Sequence, residues 1–143
     1  MLAAHPDPAR FLRFDTKHRT VLVTMIAGYD SSNNGFNFDG YGRGELLVSV
    51  PLGWRVRVTC TNRSSAPNSC AIVRGPGTAT PAFRGASTPT LARGSTATFT
   101  IVASRAGSYR LTSLVPGYEE ARMFDVLEIT RGGKPGFRTR PGP

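Results

Sequence analysis

Between Trp54 and Cys60 the chain alternates without a break: Trp54, Val56, Val58 and Cys60 take one parity, Arg55, Arg57 and Thr59 the other. Successive side chains of a strand point to opposite faces, so this run predicts a strand with one face buried and the other basic and wet. No segment sustains the 3.6-residue apolar period of a helix. Residues 96–102 alternate again, with Ala97, Phe99 and Ile101 on one side. Further strands are predicted at 21–26, 45–50, 70–73, 108–114 and 123–129. They are separated by turn chemistry, most plainly Asp30-Ser31-Ser32-Asn33-Asn34-Gly35 and Pro51-Leu52-Gly53. About seven to eight short strands with frequent turns describe an all-β sandwich of two facing antiparallel layers.

The 143 residues suffice for one domain with a single core. Residues 1–19 read as a charged N-terminal arm with little intrinsic order, 20–130 as the domain, and 131–143 as a basic Pro/Gly-rich tail. Residues 74–95, rich in Gly, Pro, Thr and Arg, read as a long excursion. No stretch approaches the roughly 20 apolar residues of a membrane helix. No charged run followed by an apolar one opens the chain, so no signal peptide is visible. The net charge of +9 is mostly arginine, Lys17 and Lys134 being the two lysines. Arginine favours bidentate contact with carboxylate or phosphate, so the charge fits either an acidic partner or a codon bias toward arginine. The basic residues are scattered and no nucleic-acid motif appears, which argues against a nucleic-acid partner.

The segment 109–123, Tyr-Arg-Leu-Thr-Ser-Leu-Val-Pro-Gly-Tyr-Glu-Glu-Ala-Arg-Met, sets Ser113, a Pro-Gly step, Tyr118 and Met123 at spacings of five. Upstream stand Phe36-Asn37-Phe38-Asp39-Gly40-Tyr41, Val50-Pro51-Leu52-Gly53-Trp54 and Pro67-Asn68-Ser69. In this order the segments resemble the sulfocyanin branch of the cupredoxins over residues 20–130. The resemblance implies a cupredoxin-like Greek-key β-sandwich. In that family a His stands where this chain has Asn68, a Cys at Ser113, a His at Tyr118 and the axial Met at Met123. A blue-copper site needs two imidazoles and a thiolate with a weak thioether. A serine hydroxyl cannot supply the thiolate, and tyrosine ionises only near pH 10. The chain has two histidines, His5 and His18, both in the N-terminal arm.

The resemblance therefore implies the copper frame without its strong ligands. The first reading is a copper-free module, with no cofactor, that binds or builds through rim loops and basic arms, within a larger assembly or with itself. The alternatives are a copper electron-transfer protein with an atypical site drawing on His5 or His18, and a binder of anionic polymer or nucleic acid. Met123 is expected to fill core. Ser113 has no base in its motif, which argues against nucleophilic catalysis and an enzyme. It is expected to donate to a backbone carbonyl. Asn68 and Tyr118 are expected at the rim, with Tyr118 as a contact residue or a plug in the cavity. By resemblance the protein is expected outside the cytoplasm.

Cys60 shares the buried parity of its strand, and Cys70 lies two past the inward ligand position of Asn68. Either a cross-sandwich disulfide or a pair of buried thiols follows. Glu119 and Glu120 read as a solvated pair. Phe36, Phe38 and Tyr41 read as core and edge packing, or as a stacking shelf. Tyr118, Arg131, Lys134, Arg138 and Arg140 are candidate contacts for an acidic partner, and the tail is expected to be disordered until it docks.

Overall fold

The computed structural model describes residues 5–77 and 80–142. Its strands are β1 (Leu12–Asp15), β2 (Thr20–Ala27), β3 (Leu46–Pro51), β4 (Arg55–Asn62), β5 (Ala71–Val73), β6 (Thr96–Val102), β7 (Gly107–Thr112), β8 (Phe124–Thr130) and β9 (Gly136–Thr139). They form two sheets, β1-β2-β4-β6 and β5-β7-β8-β3-β9. Residues 1–4 of the expected arm, 78–79 of the excursion and 143 of the tail lie outside the described residues.

The alternation of β4 sets the core. Val56, Val58 and Cys60 are fully buried, while Arg55 and Arg57 are exposed. Register carries this face to the neighbours. Val21, Val23 and Met25 of β2 lie beside Val56, Val58 and Cys60, and Ile101, Phe99 and Ala97 of β6 flank the other side. β3, β7 and β8 close the core from the second sheet with Val48, Val50, Tyr109, Leu111, Leu127 and Ile129. On the outer face, threonines pair across strands, Thr61 with Thr96 at 2.9 Å and Thr98 with Thr59 at 3.3 Å.

Three expectations need correction. The layers are mixed: β2 runs parallel to β4, and β3 parallel to β8. The chain leaves β2 for β3 in the other sheet and returns to β4. A strand that follows such a crossing re-enters in its original direction. The N-terminal arm is not irregular, because Pro8–Arg10 form a 3-10 turn capped by Asp7 and β1 pairs antiparallel with β2. Phe11 and Leu12 are buried, which anchors the segment. The tail is not free coil either. β9 pairs antiparallel with β3, and Phe137 stacks against Phe14, ring centroids 6.5 Å apart. These two end strands raise the total above the expected number.

Cys60 and Cys70 are joined by a disulfide across a Cα separation of 5.9 Å. Cys60 belongs to the first sheet and Cys70 enters β5 of the second, so the bond ties the layers together. Phe38-Asp39-Gly40-Tyr41 is a two-residue turn, with reciprocal bonds of 2.9 and 2.8 Å between Phe38 and Tyr41. Asp39 and Gly40 have φ of 59° and 83°, the left-handed pair that favours Asp-Gly in such turns.

Asp39 is buried at this turn, and its Oδ1 accepts from the Ile26 N–H at 2.8 Å. Burial pushes its carboxyl up to about 8. Asp125, buried on β8, is pushed well above the carboxylate range, first by burial and then by the charge of Asp39. A carboxyl raised in the folded state stabilises fully below its unfolded value near 3.8 and loses that contribution as pH rises through about 8. Urea unfolding should therefore show falling stability from pH 4 to pH 8. The Asp39 share has an upper bound of about 6 kcal/mol. Asp39→Asn keeps an acceptor for Ile26 and should flatten the profile. An unchanged profile would show that Asp39 ionises freely in the fold.

Candidate functional site

Pairing of β5 with β7 sets Ala71 opposite Thr112, which brings the approach to β5 against the end of β7. Here Ser113 and Ser69 meet, both buried. Ser113 Oγ accepts from the backbone N–H of Ser69 at 3.3 Å and of Val115 at 3.3 Å, and lies 3.4 Å from Ser69 Oγ. Ser69 Oγ in turn accepts from Leu114 N–H at 2.9 Å. The expected donation from Ser113 to a carbonyl is thus corrected. The hydroxyl sits as an acceptor because two backbone N–H groups converge on it, that of Ser69 being shared with Asn68 Oδ1.

Asn68 is also inside, not on the exposed rim, at 3% exposure. Its backbone pairs both ways with Leu91, at 3.0 and 2.6 Å. Its Nδ2 donates to Ser64 Oγ at 3.3 Å and its Oδ1 accepts from Ser69 N–H at 3.3 Å. The loop before it is organised by Asn62, which ends the buried face of β4. Asn62 Nδ2 donates to the carbonyls of Ala66 and Leu91 at 2.8 and 2.9 Å, and its Oδ1 accepts from Ser64 Oγ at 2.7 Å.

Met123 is fully buried in the core cluster. Its carbonyl accepts from Thr112 Oγ1 at 2.7 Å and its N–H donates to the Tyr118 carbonyl at 3.1 Å. Tyr118 is half-buried and meets Phe36 edge-on, centroids 5.4 Å apart. Phe38 and Tyr41 are buried, so the aromatic trio is packing rather than an open shelf.

Glu119 corrects a further expectation. It is not a solvated partner of Glu120 but an ion-pair acceptor for Arg110 at 3.0 Å, and it also accepts from Gly77 N–H at 3.2 Å. Glu120 is exposed. Arg131, Lys134 and Arg138 are exposed along and before β9, and Tyr118 belongs to the loop between β7 and β8. Arg140 is exposed as well, and its Nε donates to the Gly44 carbonyl at 2.9 Å.

Asn62, Ser64, Ser69 and Asn33 escape a reading based on ligand spacing. Asn33 Nδ2 donates to the carbonyls of Phe36 at 2.8 Å and Ala121 at 3.1 Å, tying the Asn-rich turn to the loop that carries Tyr118. The signal available was the pair of adjacent asparagines, which adopt φ of 52° and 55°.

The fold has known counterparts. Auracyanin A, a "blue" copper protein from Chloroflexus aurantiacus, aligns with 78% of this chain and 99% of its own at TM-score 0.56 and 20% identity. Auracyanin from Roseiflexus castenholzii gives TM-score 0.58 over 78% and 97% of the two chains at 20% identity. Rusticyanin from Thiobacillus ferrooxidans gives 0.55 over 85% and 88% at 18% identity. These likenesses define a cupredoxin β-sandwich. Residues 8–132 match the sulfocyanin (SoxE) domain, and the chain belongs to that family. A sulfocyanin of Sulfolobus acidocaldarius is 30% identical over 61 residues, a match covering 43% of this chain and 31% of that protein. The aligned stretch is thus about a third of that relative's length.

The residues expected at the family's metal position do not fit copper. Ser113 and Asn68 are neutral oxygen and amide groups engaged within the chain, and both cysteines are held in the disulfide. His18 Nδ1 is bonded to Asp15 at 2.8 Å, while His5 stacks on Tyr41 and faces Glu45 at 3.7 Å. Among the described residues no group of three or more His, Cys, Asp or Glu is arranged to hold a metal ion. Ser113→Ala should remove the acceptor shared by Ser69 and Val115 and lower stability by about 1–3 kcal/mol. Chemical denaturation measures this. A neutral result would mean that water replaces the hydroxyl.

Proposed function

We propose that this sulfocyanin-family chain is a copper-free cupredoxin-like module that acts by binding, outside the cytoplasm, and not by electron transfer or catalysis. One observation carries the reading. The side chains of Asn68 and Ser113, two of the substituted ligand positions, bond to neighbours within the chain, and the Tyr118 ring packs on Phe36. Buried polar groups without partners are costly, so this closed arrangement stabilises the fold without a metal. The disulfide supports an oxidising compartment. No helix among the described residues is long and apolar enough to cross a membrane.

Binding is assigned to the loop around Tyr118 and to the exposed cations Arg131, Lys134 and Arg138. The partner is an acidic protein face or a second copy of the chain. Tyr118 supplies a rigid amphipathic ring, and the cations near β9 supply complementary charge.

Copper titration followed by metal analysis and visible absorption tests the reading. The expected result is substoichiometric copper without the blue colour of a thiolate–copper bond. Stoichiometric blue protein would overturn it. The variant carrying Asn68→His, Ser113→Cys and Tyr118→His should fold and turn blue with copper. A folded but colourless variant would show that these three positions do not converge as a ligand set.

A further inference from the structure

A cavity of about 630 Å³ opens on the outer face of the second sheet, away from the Ser113 position. Four arginines line it: Arg43, Arg74, Arg110 and Arg140. They come from four separate places: the turn before β3, the segment after β5, β7 itself, and the segment after β9. Among the described residues no carboxylate lines the cavity. Its floor holds Phe124 and Val126, which are nearly buried although they lie outside the inter-sheet core cluster. Several like charges held around a low-dielectric floor repel one another and concentrate positive potential, which an anion relieves.

Two of the guanidinium groups are also held in place. Arg110 lies over the Phe124 ring at 3.7 Å from its centroid and donates from Nη1 to Glu119. Arg140 is pinned through Nε to the Gly44 carbonyl. A guanidinium has five N–H donors in a planar fork, so one anchoring bond leaves most of its capacity. Gly44 keeps the space open. A Cβ there would lie 3.2 Å from Phe124 Cε2 and 3.5 Å from Arg140 Nη2.

We propose that this groove binds a small phosphate oligoanion, with pyrophosphate as its minimal form. Arg74 and Arg140 stand at the groove beside Arg110, whose charge is shared with Glu119, and two guanidinium forks match two linked phosphates. Arginine forks suit phosphate oxygens bidentately. The cavity has the dimensions of a small-molecule site, not of an extended polymer track. The assignment stands independently of whether copper binds at the Ser113 position.

Isothermal titration with pyrophosphate at low and physiological salt tests it, using the intact chain. Saturable one-to-one binding is expected, weakening as salt rises. Arg74→Ala combined with Arg140→Ala should weaken it by about tenfold or more, since each removes a charged donor. Arg57→Ala, on the outer face of the first sheet, should leave it unchanged. Thermal unfolding with pyrophosphate present should shift upward in the wild type and less in the double variant, which also shows that the variant folds. Absence of saturable heat, an equal loss with Arg57→Ala, or citrate binding as tightly as pyrophosphate would overturn the assignment.

Discussion

The buried face of β4 is the constraint on which the rest of the structure depends. Val56 and Val58 meet the inward residues of β2 and β6, and Cys60 reaches across to Cys70. Asn62 ends the same face and fixes the loop that delivers Asn68 and Ser69. The disulfide sets where β5 begins, and β5 in turn pairs with β7, whose end presents Ser113. A one-residue slip in β4 would turn all of these side chains to solvent, so the core and the loop cluster share one register.

Substitution at the expected ligand positions therefore need not cost the fold. The bonds that hold the loops come from backbone groups and from asparagine and serine side chains around the frame. Two backbone N–H groups aimed at the side chain of residue 113 would stabilise an anionic sulfur there, and they donate to a hydroxyl oxygen as readily in geometric terms. This explains how a family frame persists with different chemistry at its centre. Glu119 and Arg110 add a charged brace between the loop and β7, and Asn33 adds a neutral one.

Much of this architecture is legible in the sequence because its strands are amphipathic. The alternation from Trp54 to Cys60 marks β4 directly, and Thr96–Val102 is β6 as its pattern indicates. β1 and β9 are harder, since each is a four-residue edge strand amid charged or Pro/Gly-rich sequence. Their order comes from tertiary contacts: Phe14 and Phe137 pack on each other although the segments lie at opposite ends of the chain. The spacing of Ser113, Tyr118 and Met123 indicates the frame, but not that Ser113 accepts from two backbone N–H groups. That depends on Ser69, a partner 44 residues away that the motif does not name. The burial of Asp39 and Asp125 likewise has no local signal in the sequence. Only the pairing of the Phe38–Tyr41 turn against β2 buries the first.

The central claim is that the metal position is closed by the chain's own hydrogen bonds. Crystals grown with copper, measured for anomalous scattering at the copper edge, test it most directly. The account predicts no anomalous peak among Asn68, Ser113 and Tyr118, with Ser113 Oγ still accepting from Ser69 and Val115. A copper peak there, with Ser113 turned away from those two N–H groups, would contradict it.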